Sequence, residues 1–292
     1  MKKYLIGVDL GGTKISTAIA LNNGRIVYEK TIPTPASQGV KKVIAAIEAS
    51  IYDVMAACSV SINDVRAIGV GAPGPVVYEK GLILNPPNLK GWKKVPLRNI
   101  LSRKFKKPVF LENDANAAAL AELKFGTGRK FRDFVYVTIS TGIGGGIILN
   151  KKLFRGSSGF AGELGHMTID MDGPRCSCGK PGHFEGMACG PALQKITGMR
   201  PEELNLLAKA GSKKALKEIE ELGKIIGIGF SNLVNIINPQ AIVVGGGLSN
   251  LGEPLFRSIR KTVLLNALSP ADILPAKLKK NTGVLGAIAL CL

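Results

Sequence analysis

The chain has 292 residues, 46% hydrophobic and 21% charged; that is ample for a large core and two lobes, and it excludes wholesale disorder. A net charge of +18 raises nucleic acid as a partner, but the basic residues fall mostly in scattered pairs such as Lys41-Lys42 and Lys213-Lys214, the pattern of a solvated face that can also attract an anionic small molecule. Five cysteines with one tight Cys176-x-Cys178 pair argue against a secreted disulfide framework, Asp9 interrupts the first apolar run too early for a signal peptide, and no stretch reads as a membrane span, so a cytoplasmic protein is expected.

Residues 4–9 read as a buried strand, followed by a glycine turn at Leu10-Gly11-Gly12-Thr13-Lys14 and a second strand over 15–21. Asn22-Asn23-Gly24 is a hairpin signal, and 25–32 alternates like a third strand. A helix is expected over 39–57, with Val43, Ile44, Ile47, Ile51, Val54 and Met55 on one face. A strand over 67–71 runs into the rigid loop Gly71-Ala72-Pro73-Gly74-Pro75. The stretch 90–107 is dense in basic residues and has no acidic one. An apolar strand end at Phe110-Leu111 delivers Asn113 and Asp114, where an alanine-rich helix over 113–125 begins.

The opening pattern then recurs as a strand over 134–140, a glycine turn over 141–146, a strand over 147–149 and a turn over 150–152. Helices are expected over 201–209, opened by Pro201, and over 212–237 and 253–267. A strand over 241–244 leads into a third glycine turn, Gly245-Gly246-Gly247, and the apolar tail 283–292 reads as a packed helix. The repeat suggests two similar halves, each supplying one phosphate loop to a shared cleft. The lobes are expected to be 1–112, completed by 283–292, and 113–282.

Three groups of residues could carry chemistry. The turn after Asp9 brings backbone N–H groups of Gly11 and Gly12 within reach of a phosphate, with the Thr13 hydroxyl and Lys14 charge beside them; a plain hairpin is the alternative. Asn113 and Asp114 suit a general base with an orienting amide, or simply the N-cap of a helix. The chain has two histidines, and they flank the cysteine pair: His166, Cys176, Cys178 and His183 match a closed tetrahedral zinc site, or else are reduced thiols and hydrogen-bonded imidazoles.

In combination, several motifs give the chain a resemblance to the ROK (repressor, open reading frame, kinase) family of the actin-like ATPase superfamily. They are Gly7–Lys14 (GVDLGGTK), Gly71–Val76 (GAPGPV), Asn113–Ala119 (NDANAAA), Ser140–Gly146 (STGIGGG), Gly162–His166 (GELGH), Cys176–Glu185 and Gly245–Gly247. The resemblance implies an α/β, two-lobed, ribonuclease H-like fold with a cleft between the lobes. It implies ATP-dependent phosphorylation of a hexose, glucose first, at the 6-hydroxyl, with Asp114 as general base. Asn88, Asn113, Asp114, Glu163, His166 and Glu185 would contact the sugar. Asp9, Gly11, Gly12, Thr13, Lys14, Thr141 and Gly142 would serve the phosphates, with Mg2+ near Asp9, and Gly245, Gly246 and Gly247 the nucleoside end.

The zinc would be structural, and His183 stands where the family commonly has a third cysteine. The segment Glu185–Gly190 also departs, lacking an aromatic residue and a serine often found there. An N-acetylglucosamine or N-acetylmannosamine kinase is the alternative activity. A sugar-responsive regulator is the other class; its winged-helix extension finds no room before a first strand at residue 4. The partners implied are a hexose and a nucleotide, with no nucleic acid or membrane, in a homodimer.

Overall fold

The computed structural model describes residues 3–86 and 88–292. Its elements in chain order are β1 (Tyr4–Leu10), β2 (Lys14–Leu21), β3 (Ile26–Pro33), α1 (Val40–Ala57), β4 (Val65–Ala72), β5 (Val76–Val77), β6 (Leu82–Ile83), α2 (Leu97–Phe105), β7 (Val109–Asn113) and α3 (Asp114–Phe125). There follow β8 (Phe134–Ile139), β9 (Ile143–Leu149), β10 (Lys152–Phe154), α4 (Phe184–Ala188), α5 (Gly190–Thr197), α6 (Pro201–Lys209), α7 (Lys213–Ile237), β11 (Ala241–Gly245), α8 (Glu253–Asn266), β12 (Asp272–Pro275) and α9 (Thr282–Ala289). None of the described helices is long and apolar enough to cross a membrane.

The chain divides into two compact units. Unit 1 holds residues up to Gly126, Arg155–Ala161 and Lys280–Leu292; unit 2 holds Thr127–Phe154 and Gly162–Lys279. Unit 1 is built on a five-stranded sheet in the order β3-β2-β1-β4-β7, unit 2 on one in the order β10-β9-β8-β11-β12. In both, an antiparallel three-strand meander is followed by two strands parallel to its first member. The repeat suggested by the two hairpins is therefore present at the level of whole sheets.

Unit 1 buries both faces of its sheet at β1, β2 and β4, which is why β1 reads as an almost unbroken apolar run, whereas β3 at the edge is largely exposed. Ile6, Val8 and Leu10 belong to one core with Val43, Ile47, Ile51 and Val54 of α1 and Leu97, Leu101 and Phe105 of α2. Leu5, Ala18, Ala20 and Ala67 pack with Val284, Ile288 and Cys291 of the C-terminal segment. The approach there is close: a Cβ added at Gly7 would lie 2.7 Å from Ile288 Cγ1, and one at Gly69 would overlap the Ala287 carbonyl.

α3 is buried nearly all round, and its run of alanines makes that possible. A Cβ at Gly286 of α9 would stand 2.6 Å from the Ala117 carbonyl oxygen, so the two helices meet almost backbone to backbone. Because α3 packs on α9 and continues from β7, the division between the units falls after Gly126 instead of just before Asn113.

The run Gly144–Gly146 differs from its expected place in a turn: β9 already begins at Ile143, and these glycines pair with Thr138, Val137 and Tyr136. They are small because another segment lies on them. A Cβ at Gly145 would run into the Leu164 side chain, and one at Gly162 would be 2.6 Å from the Gly145 carbonyl oxygen. The turn after β9 is made by Asn150 and Lys151, both at positive φ, and Lys152 already starts β10. The basic stretch contains α2, and its Arg98 donates to the Tyr78 and Glu79 carbonyls.

Gly69→Ala is expected to lower unfolding stability by about 2–3 kcal/mol, because no rotamer relieves an overlap with a backbone carbonyl. Urea denaturation followed by circular dichroism checks this; an unchanged midpoint would contradict the packing of α9 on β4.

Candidate functional site

In unit 1 the strand ends converge on one loop cluster. β1 ends in Asp9-Leu10, and the turn to β2 is closed by Gly11 N–H donating to the Lys14 carbonyl at 2.9 Å. The Gly11 N–H is thus spent inside the turn and is unavailable to a phosphate. Thr34 braces the turn from β3's end, donating its hydroxyl to the Gly11 carbonyl (2.8 Å) and its N–H to the Thr13 carbonyl (2.9 Å). Asn88 lies over Gly12, where a Cβ would be 2.5 Å from Asn88 Cβ. The Asp9 carboxylate packs against Gly283 in the first turn of α9. Burial pushes its pKa above the ordinary carboxylate value, with the nearby Lys14 charge opposing.

β7 passes into α3 without a loop. Asn113 is the last strand residue and the N-cap: its Oδ1 accepts from the N–H groups of Ala115 (2.9 Å) and Asn116 (3.2 Å). Its Nδ2 donates to the Gly74 carbonyl (3.2 Å), in the loop that follows β4. The capping reading of Asn113 therefore holds, whatever else the residue contacts. Asp114 is exposed at the first helical position, with Oδ1 accepting from Ala115 N–H at 2.8 Å. A carboxylate there also faces the positive end of the helix dipole.

Beneath it Glu112 is buried, 2% exposed, and its oxygens are shared out. Oε1 accepts from the Asn113 N–H (3.0 Å) and from Asn116 Nδ2 (3.1 Å), and Oε2 from Arg155 Nε (2.7 Å). Sequence reasoning passed over Glu112 and Arg155. The only available signal was a carboxylate placed inside an otherwise apolar strand.

In unit 2 the turn Ser140–Gly142 is held by Ser140 N–H to the Gly142 carbonyl (2.9 Å) and Gly190 N–H to the Ser140 carbonyl (2.7 Å). Gly247 lies against the same turn, with its would-be Cβ 3.6 Å from Ser140 Oγ. Gly246, at φ +84°, and Gly245 pack too tightly on Ile139 and Tyr136 for any side chain. Beside these turns is a pocket of about 230 Å³, lined by Thr141, Gly190, Gln194, Arg200, Glu202 and Gly247 among others. Gln194, Arg200 and Glu202 carried no motif and were not foreseen. A larger hollow, about 560 Å³, lies along α8 and β12 and contains none of the candidate residues.

The segment 162–166 lies on β9 and presents Glu163 and His166, both exposed. Glu185, in α4, bridges two neighbours: Oε2 accepts from Ile143 N–H (3.0 Å), and Oε1 from Ser177 Oγ (2.8 Å) and the Cys176 thiol (3.4 Å). The loop before it is folded by the short bridges Thr168↔His183 and Arg175↔Pro181.

That loop gathers the expected metal ligands. One donor atom each from His166, Cys176, Cys178 and His183 lies within 4.8 Å of all the others. Cys178 Sγ is 3.3 Å and His166 Nδ1 is 3.4 Å from His183 Nδ1. Zinc bonds of about 2.0–2.3 Å place tetrahedral ligands roughly 3.3–3.8 Å apart, the range of those two separations, and two thiols with two imidazoles are a donor set that suits that ion. Burial pushes the Cys176 thiol above its ordinary pKa, and ion binding must displace that proton. His166 turns Nδ1 to the cluster and Nε2 towards Glu163, whose Oε2 is 3.9 Å away.

Comparison with known proteins matches the sequence profile of the ROK family to residues 5–292. A glucokinase from Streptomyces coelicolor is 33% identical over 98% of this chain and 96% of its own length. A xylose repressor from Caldicellulosiruptor bescii is also 33% identical, over 98% of this chain and 77% of its own. Among solved structures, a ROK glucokinase from Streptomyces griseus in complex with glucose and AMPPNP superposes with a TM-score of 0.83 at 33% identity, covering 98% of both chains. The chain belongs to the ROK family and has the actin-like ATPase fold of those structures.

Proposed function

We propose that the protein is an ATP-dependent hexose kinase that phosphorylates the 6-hydroxyl of glucose, with Asp114 as general base. The observation that carries this reading is Asp114 itself: an exposed carboxylate on the first residue of a helix, fixed by the Asn113 cap. Such a group can accept the proton of a sugar hydroxyl as its oxygen attacks phosphorus. Phosphoryl transfer otherwise needs positioning and charge neutralisation. The reading gives the phosphates to Gly12, Thr13, Lys14, Thr141 and Gly142. The pocket beside Thr141 and Gly247 takes the nucleoside. Glucose and AMPPNP in the S. griseus relative support both substrate assignments.

Asn88, Asn113, Glu163, His166 and Glu185 are assigned to the sugar hydroxyls. Carboxylates suit this work because each accepts from several donors. Magnesium, when bound with the nucleotide, neutralises phosphate charge, and Asp9 at the phosphate turn is the carboxylate to hold it through water. Zinc, when bound by His166, Cys176, Cys178 and His183, stiffens the 167–183 loop and fixes the His166 ring, leaving Nε2 for substrate. The protein is read as cytoplasmic and homodimeric.

The xylose-repressor relative favours a second reading, a sugar-binding regulator. An ADP-release screen over hexoses, N-acetylhexosamines and nucleotide donors separates the two. Sugar-dependent ADP release, greatest with glucose, is expected. Sugar binding without turnover for any pair supports the regulator, and a preference for an N-acetylhexosamine replaces glucose as substrate.

Asp114→Ala is expected to lower kcat by about 10²–10⁴-fold while calorimetry still detects sugar binding; near-normal turnover would remove the base assignment. Purified protein is expected to carry about one zinc per chain. His183→Ala should lower both that content and the melting temperature. Metal-free protein with full activity and unchanged melting refutes the zinc assignment.

A further inference from the structure

The buried carboxylate of Glu112 ties together two segments that the chain separates widely. Arg155 follows directly on β10, yet Arg155–Ala161 packs with unit 1, while the residues on either side of that segment belong to unit 2. Its guanidinium is held on two sides. Nε donates to Glu112 Oε2 at 2.7 Å, and the Cζ atom sits 3.8 Å over the Tyr78 ring. Tyr78 is fixed in turn by Arg98, which donates to its carbonyl. Ala161 N–H donates to the Arg155 carbonyl (3.1 Å), closing the segment into a loop just before Gly162 and Glu163.

On its other side Glu112 holds the peptide that carries the catalytic region. Its Oε1 receives the Asn113 N–H and the amide of Asn116, itself 3% exposed. A buried carboxylate demands partners on both oxygens, and Arg155 is the charged one. Without it Glu112 must turn towards water or draw in another donor, and the Asn113–Asn116 turn moves with it. Asp114 lies inside that turn.

We propose that Arg155 is a positioning residue for phosphoryl transfer: through Glu112 it sets the start of the helix that bears Asp114, and it anchors the loop that delivers Glu163. The inference rests on the kinase reading. It does not concern the phosphate turns, so sugar KM and kcat should respond to Arg155 and the nucleotide KM should not.

The test uses the full chain and a sugar that the wild type phosphorylates. Arg155→Ala is expected to lose about 10- to 100-fold in kcat, the scale of a small misplacement of a catalytic group. Sugar KM should rise and the ATP KM should stay within about twofold. Added guanidinium should restore part of kcat in Arg155→Ala and none in Asp114→Ala. If Arg155→Ala does not fold by circular dichroism, Arg155→Lys carries the test: it keeps the charge and loses the planar stack, and the same split between sugar and ATP parameters is expected. A folded variant with kcat within about twofold of wild type overturns the inference. So does a loss that falls equally on both KM values without guanidinium rescue, which marks a merely structural role. A wild type that phosphorylates no sugar overturns the kinase reading and this inference with it.

Discussion

The site in unit 1 depends on one junction. Asn113 ends a strand and caps a helix at the same position, so the direction of β7 and the axis of α3 are set by a single side chain. Its Oδ1 satisfies two of the N–H groups that every helix leaves unpaired at its start. That economy removes any connecting loop, and with it the mobility a loop would give to Asp114. The neighbouring features serve the same junction. Ala72 pairs with Asn113 across β4 and β7, Gly74 offers its carbonyl to the Asn113 amide, and the alanines of α3 let the helix approach α9 almost to backbone contact.

Much of this was legible in the sequence, because the signals were local. Continuous apolar runs gave β1, β2, β8 and β11, the 3.6-residue stripe gave α1, and the long apolar-periodic segment gave α7. Asn113 and Asp114 stood out since both residue types begin helices. Glycine was a poorer guide. Gly12 and Gly142 do lie in turns, but Gly144–Gly146 lie in β9, and their lack of side chains makes room for the Leu164 segment. A glycine chosen for a turn and one chosen for a close contact look alike in sequence. The division of the chain was also hidden, for Arg155–Ala161 joins unit 1 through contacts far away in sequence, with Glu112 and Tyr78.

The two histidines divide their work by ring nitrogen. His183 is buried and faces Cys178 and His166 within the cluster. His166 is exposed and has one nitrogen inside the cluster and one outside, beside Glu163. An imidazole with a nitrogen engaged on one side has its tautomer fixed on the other. Glu185 makes a comparable link with oxygen, joining the cysteine loop through Ser177 and Cys176 to the β8–β9 turn through Ile143. His166, the Cys176–His183 loop and the glycine turn of unit 2 therefore share one hydrogen-bonded frame.

The path of the chain through unit 1 has a consequence for synthesis. The inner face formed by Leu5, Ala18, Ala20 and Ala67 is closed by Val284, Ile288 and Cys291. These partners are made after every described strand of both units, so the first sheet to be made waits with that face uncovered until residues 284–291 have emerged. The strands of unit 2 meet partners that are all made before residue 280. Translation from the N-terminus therefore does not impose an N-terminal-first order of completion here, and the nascent sheet of unit 1 is the stretch most in need of shielding by a chaperone.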